Sequence, residues 1–184
     1  RIPVNVMEGA EFDEAQRSKI FSEVNNNGEK LHNLHRLNLA FRTESSVNVA
    51  SWDYDFSQDE QRKSYEVAAK LTSGNLHGIM KERIHLLPPA PGSQARRGKM
   101  LDATKFVRWS ATVDPNSSEN WFAPTGPWRK ATGGGGKMTS NNAAISLSNY
   151  YKALSARFPN SWEISNGLCG DLQRPWSVEP LFKM

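Results

Sequence analysis

The stretch Ser45–Leu71, SSVNVASWDYDFSQDEQRKSYEVAAKL, decides the fold class of this chain, because it runs from an alternating segment into a well-marked helix without a break. Val47 and Val49 alternate with Asn48 and Ala50, the period of a short strand. Asp53 and Asp55 flank Tyr54, and turn and capping duty just ahead of a helix accounts for both carboxylates. Ser57 with Glu60 three residues on has the form of a capping box: the hydroxyl accepts from a first-turn N–H while the carboxylate reaches back. Asp59 and Glu60 also suit the positive end of the helix dipole. Ser64, Val67, Ala68 and Leu71 then recur at i, i+3, i+4 and i+7, so one face of this helix is apolar, and Gly74 lies where it should end.

Working outward, residues 2–7 alternate weakly and suit an edge strand, since Pro3 removes a ladder donor. Asp13 and Gln16 predict a helix reaching about Asn27, stopped by Asn25-Asn26-Asn27-Gly28. A second helix is predicted over Glu29–Arg42 from Leu34, Leu37 and Phe41, and a shorter one over 75–86, ending before Pro88-Pro89. Lys105–Val113 reads as a half-buried strand, with Val107, Trp109, Ala111 and Val113 on one face. Asn142–Arg157 reads as a helix through Ala144, Leu147, Tyr151 and Leu154, halted by Pro159. Together these predict an α+β fold in one domain, 1–184, with at least three amphipathic helices packed on a small β-sheet that includes Lys105–Val113.

At 184 residues the chain is long enough to bury a core without staples, and six Trp with eight Phe supply large units to fill it. No apolar run approaches the ~18 residues of a membrane span. The first residues, RIPVNVMEGAEFDE, lack the apolar core of a signal peptide, although a chain beginning at Arg1 fits a processed, secreted form with its leader removed. One cysteine, Cys169, leaves no intramolecular disulfide or cysteine cluster, gives no sign of an oxidising compartment, and reads as a small buried hydrophobe.

Charge is unevenly placed. Ten Lys/Arg against four acids lie between Lys81 and Lys137, in a chain whose net charge is only +4. Within that segment Pro88–Lys99 reads as an exposed basic Pro/Gly-rich loop, and 129–140 as a flexible Gly-rich loop. The run Thr132–Thr139 is not a phosphate-binding P-loop, because Ala131 stands where the first Gly is needed and Met138 follows the Lys. A glycine-rich loop with basic flanks leading into a helix still suits an anion. The candidate polyanion-binding residues are therefore Arg96, Arg97, Lys99, Arg129, Lys130 and Lys137. Trp109, Trp121 and Trp128 lie among Lys105, Arg108, Arg129 and Lys130, an interleaving that suits nucleic acid or a sulfated glycan, although Trp109 lies on the apolar face of the predicted strand and core packing is the preferred reading for it. His32 and His35 are three apart on a predicted helix and lack a designated third ligand; no metal or other cofactor is expected. No nucleophile, base and orienter stand together, so a binding or interaction role is expected ahead of catalysis, with an anionic polymer or another protein as partner.

Ile20-Phe21-Ser22-Glu23-Val24-Asn25, then Val47, Trp52-Asp53 and Phe56 before a helix, Glu119-Asn120-Trp121, and the Tyr150-Tyr151 helix follow one another in an order that resembles the CAP superfamily of cysteine-rich secretory, antigen 5 and pathogenesis-related-1 proteins. The resemblance spans about 140 residues in pieces of two to four. It implies an α-β-α sandwich, with the helices near 57–71 and 142–157 on opposite faces of one sheet, and a secreted binding or signalling role. Val24 stands where that family has His, and the later helix has no Glu near its Tyr pair, so of the family's cleft residues only Glu119 carries over, as a groove candidate.

Overall fold

A computed structural model describes residues 13, 16–17, 20, 31–73, 80, 83–88, 101–111, 121–122, 128 and 138–162. The elements in order are α1 (Asn33–Arg42), β1 (Ser46–Val49), β2 (Trp52–Asp55), α2 (Asp59–Thr72), β3 (Ile84–His85), β4 (Leu101–Asp102), α3 (Ala103–Ser110), α4 (Ser140–Arg157) and α5 (Pro159–Trp162). The fold is α+β. β1 and β2 form an antiparallel hairpin and β3 and β4 a two-residue parallel bridge, so the sheet consists of two separate pairs.

The hairpin corrects the reading of Asp53–Asp55 as a turn. Val49 faces Trp52 and Val47 faces Tyr54, so the alternation begun by the valines continues through the aromatic residues. Asp53 is carried on the outer face, where its Oδ1 accepts from Asn48 Nδ2 across the strands at 2.8 Å. Ala50 (φ 52°) and Ser51 (φ 65°) make the tight connection. Both central residues have positive φ, as a type I′ turn requires, without the Asn-Gly that relieves it.

α1 begins at Asn33 rather than Glu29, because His32 is extended and its Nδ1 accepts from the Leu34 N–H at 3.2 Å. It ends in a Schellman motif: Ser45 N–H donates to Ala40 O at 3.0 Å and Glu44 N–H to Phe41 O at 3.3 Å, with Glu44 left-handed at φ 48°.

α2 carries the expected buried stripe of Ser64, Val67, Ala68 and Leu71, but not the capping box of Ser57 and Glu60. The Asp55 carboxylate outcompetes the hydroxyl as acceptor, taking both the N–H (3.1 Å) and the Oγ–H (2.7 Å) of Ser57. Gln61 does the reaching back, its Oε1 accepting from Asp55 N–H at 2.8 Å. At Asp13 the predicted box does form, with Asp13 N–H to Gln16 Oε1 at 3.0 Å and Gln16 N–H to Asp13 Oδ1 at 2.7 Å. The full extent predicted for that helix lies outside the described residues.

Two expectations are overturned. Ile84–His85, at the end of the helix predicted over 75–86, is a strand paired with Leu101–Asp102. Lys105–Val113, predicted as a strand, is instead entered by the helix α3, which runs through Ser110. Asp102 caps that helix, its Oδ1 accepting from Lys105 N–H at 3.0 Å, and Ala103, Phe106, Val107 and Ser110 are buried at i, i+3, i+4 and i+7. α4 starts two residues earlier than expected, capped by Thr139 Oγ1, which accepts from Asn142 N–H at 3.2 Å. Pro159 both follows α4 and opens α5, where a missing N–H costs nothing.

α2 and α3 stand at the centre. On one side Tyr65, Ala103 and Val107 join Leu34, Leu37, Val49, Tyr54 and Phe56, with Phe41 stacked on Tyr65 at 4.3 Å between centroids. On the other, Val67, Leu71 and Phe106 join Ala143, Ala144, Leu147, Tyr151 and Trp162. α2 therefore packs directly on α4, which is not the placement on opposite faces of one sheet that the CAP resemblance implies. Between α2 and α3 Ser64 Oγ makes a buried polar contact with Ser110 Oγ. Ser110 Oγ–H donates to Phe106 O at 2.7 Å, so the hydrogen shared by the serine pair comes from Ser64.

Candidate anion-binding face

The site is built where β2 crosses α3. Tyr54 and Trp52, two apart on β2, point to the same side of the hairpin. Thr104 and Arg108, four apart on α3, lie one turn from each other along the helix. The two spacings match, so both pairs meet. Tyr54 Oη–H donates to Thr104 O at 3.0 Å, and the Arg108 guanidinium lies over the Trp52 ring, its carbon 3.4 Å from the centroid. At that distance the guanidinium rests against the ring face, a cation–π contact.

Burial raises the Tyr54 phenol to about 12, reinforced by the Asp102 carboxylate and opposed by Arg108. Its hydroxyl is a donor throughout the neutral range. Asp102 Oδ1 accepts from Lys105 N–H and from Thr104 Oγ1 at 2.5 Å, so this carboxylate serves the start of α3. His85, register partner of Asp102, is half-buried with its Nε2 enclosed and unpartnered. Burial lowers its pKa and Asp102 opposes this.

Arg108 is half-buried, and its side chain makes no hydrogen bond or ion pair among the described residues. Lys105, one turn earlier, is exposed and likewise unpaired. Ion pairs are present on α2, where Arg62 pairs with Glu44 and Asp59, each at 3.3 Å, and Lys63 with Asp59. On the face turned from the core α3 thus carries two cations that make no ion pair among the described residues.

The candidates Arg96, Arg97, Lys99, Arg129, Lys130 and Lys137, the groove candidate Glu119, and Cys169 all lie outside the described residues, as do most of the 88–99 and 129–140 loops. Of the interleaved tryptophans, Trp109 is partly buried against the core, and Trp128 is buried with Trp121 edge-to-face at 4.8 Å. His32 caps α1 and His35 is exposed on it; no group of three metal-ligating side chains gathers among the described residues. Trp52 with Arg108 is the pair that the sequence reading missed. The signal was Lys105 and Arg108 at i, i+3, visible only once 103–110 is read as a helix. No helix among the described residues is long and apolar enough to cross a membrane. Comparison of the chain with protein-family models, with curated proteins and with solved structures finds no match.

Proposed function

We propose that this chain is a non-enzymatic binding protein whose partner is an anionic polymer, engaged through the basic segment 81–137. The observation that carries the reading is the Arg108 guanidinium held over Trp52 at the middle of that segment, one turn from the exposed Lys105, with no acidic group paired to either among the described residues. A cation fixed on an aromatic face has already given up much of its rotamer freedom, so an arriving anion has less ordering to bring about. The binding role is supported by the structural use made of the acids and hydroxyls nearby. Asp102 caps α3, Asp55 holds the turn into α2, and Ser64 and Ser110 join α2 to α3.

The CAP resemblance implies a binding role too, but with a different placement of α2 and α4, so the proposal stands on the basic face alone. The test is retention on immobilised heparin at low salt. The protein should be retained, and neutralising Arg96, Arg97, Arg129 and Lys130 to Gln should move elution to lower salt. Flow-through of the parent protein, or unchanged elution of the variant, contradicts the proposal.

A further inference from the structure

We infer that the outer face of α3, with Arg108 over Trp52 and Lys105 beside it, is the fixed part of the polymer contact, and that the polymer is a sulfated glycan bound through charge rather than a nucleic acid bound through base stacking. This rests on the reading that the partner is an anionic polymer and deepens it. Single-stranded nucleic acids are held by aromatic faces on which bases stack, together with cations along the backbone. Among the described residues the tryptophans are engaged within the protein: Arg108 covers Trp52, Trp109 and Trp121 pack against the core, and Trp128 and Trp162 are buried in it. Among the described residues Lys105 makes no ion pair, and Arg108 makes none beside its contact with Trp52. Lys105 and Arg108 stand roughly 4.5 Å apart along the helix axis. Arg108 offers a rigid fork of donors suited to two oxygens of one sulfate group, and Lys105 a point charge for the next. On this face the described cations stand beside a tryptophan already covered by Arg108, and that charge complementarity matches a polymer dense in anionic groups and free of bases.

The test compares a heparin-derived oligosaccharide with a single-stranded DNA oligonucleotide of equal charge, by titration at low salt and across a salt series. Parent protein should bind the oligosaccharide more tightly than the oligonucleotide. Arg108→Gln should weaken oligosaccharide binding about tenfold and lower the log–log salt slope by about one. Lys105→Gln, at an exposed position that leaves the Trp52 contact intact, should cost about two- to fivefold. Lys152→Gln removes the same charge from the exposed side of α4 and is the control, expected to bind like the parent protein. Should Arg108→Gln not fold, Lys105→Gln decides alone. If both α3 variants bind like the control while neutralising Arg96, Arg97, Arg129 and Lys130 abolishes binding, the α3 face is refuted and the polymer-binding reading stands. Tighter binding of the oligonucleotide refutes the glycan. If the parent protein binds neither probe, both readings fall.

Discussion

Replacing Tyr54 with Phe tests whether α3 is docked on the hairpin as described. The ring is buried and parallel to Phe56, with centroids 6.5 Å apart, so Phe fills the same space and opens no cavity. What is lost is the hydrogen bond from Oη to Thr104 O at 3.0 Å. That carbonyl keeps its in-helix partner, which puts the cost at the ordinary net value of a hydrogen bond, about 1 kcal/mol. For a chain of this size that is roughly 2–4 °C in Tm. The alkaline limb supplies a second readout with a definite sign. The folded phenol titrates at about 12 against the usual 10.0, so folding favours the protonated form. Its contribution is complete below pH 10 and is lost as the pH rises towards 12, at a rate of at most about 1.4 kcal/mol per pH unit and less where solvent screens the phenol edge. Tyr54→Phe lacks this loss. Urea unfolding at pH 8 should therefore show the variant less stable, and the gap should close above pH 10. Tyr151, buried and also shifted upward, contributes to both proteins alike and drops out of the difference. Equal stability at pH 8 together with parallel alkaline limbs would refute the docking of Tyr54 on α3.

Three further outcomes follow from local geometry. Glu44→Gly should stabilise the protein by about 1 kcal/mol in chemical denaturation, because Glu44 occupies the left-handed position of a Schellman motif and its exposed ion pair with Arg62 contributes little. Ala50→Asn with Ser51→Gly should raise Tm by roughly 2–4 °C, since both residues have positive φ in a two-residue hairpin turn that favours Asn-Gly. In the buried serine pair Ser110→Ala should cost about 1–3 kcal/mol, because it leaves the Ser64 hydroxyl without an acceptor. Ser64→Ala should cost less, since Ser110 keeps Phe106 O; equal losses would contradict the assigned hydrogen direction.

The parts of the fold legible in the sequence are those whose signal is local and long. α2 and α4 show a 3.6-residue stripe over four turns or nearly so, and the structure buries the residues of that stripe, leaving only Leu154 half-exposed. The sequence of α3 supports both a strand and a helix, because Phe106-Val107-Arg108-Trp109 fits both periods. Val107, Trp109 and Ala111 alternate, while the helical stripe runs through Ala103 and the polar Ser110, which hydropathy alone discounts. Its deciding residue, Asp102, lay outside the window read as a strand. The β3–β4 bridge is two residues long and joins positions 17 apart, too short for any period to show. At Ser57 the capping reading failed because a neighbouring carboxylate, Asp55, is a stronger acceptor than the hydroxyl. The Trp52–Arg108 contact is non-local, across 56 positions, and follows only from the packing of a hairpin on a helix.

The most direct test of the account is an NMR titration of the folded protein with a heparin-derived oligosaccharide, following the Arg108 Nε–H and Trp52 Nε1–H resonances. Both should shift saturably, with the dissociation constant obtained from whole-protein binding. Saturation of binding with neither resonance moving would contradict it.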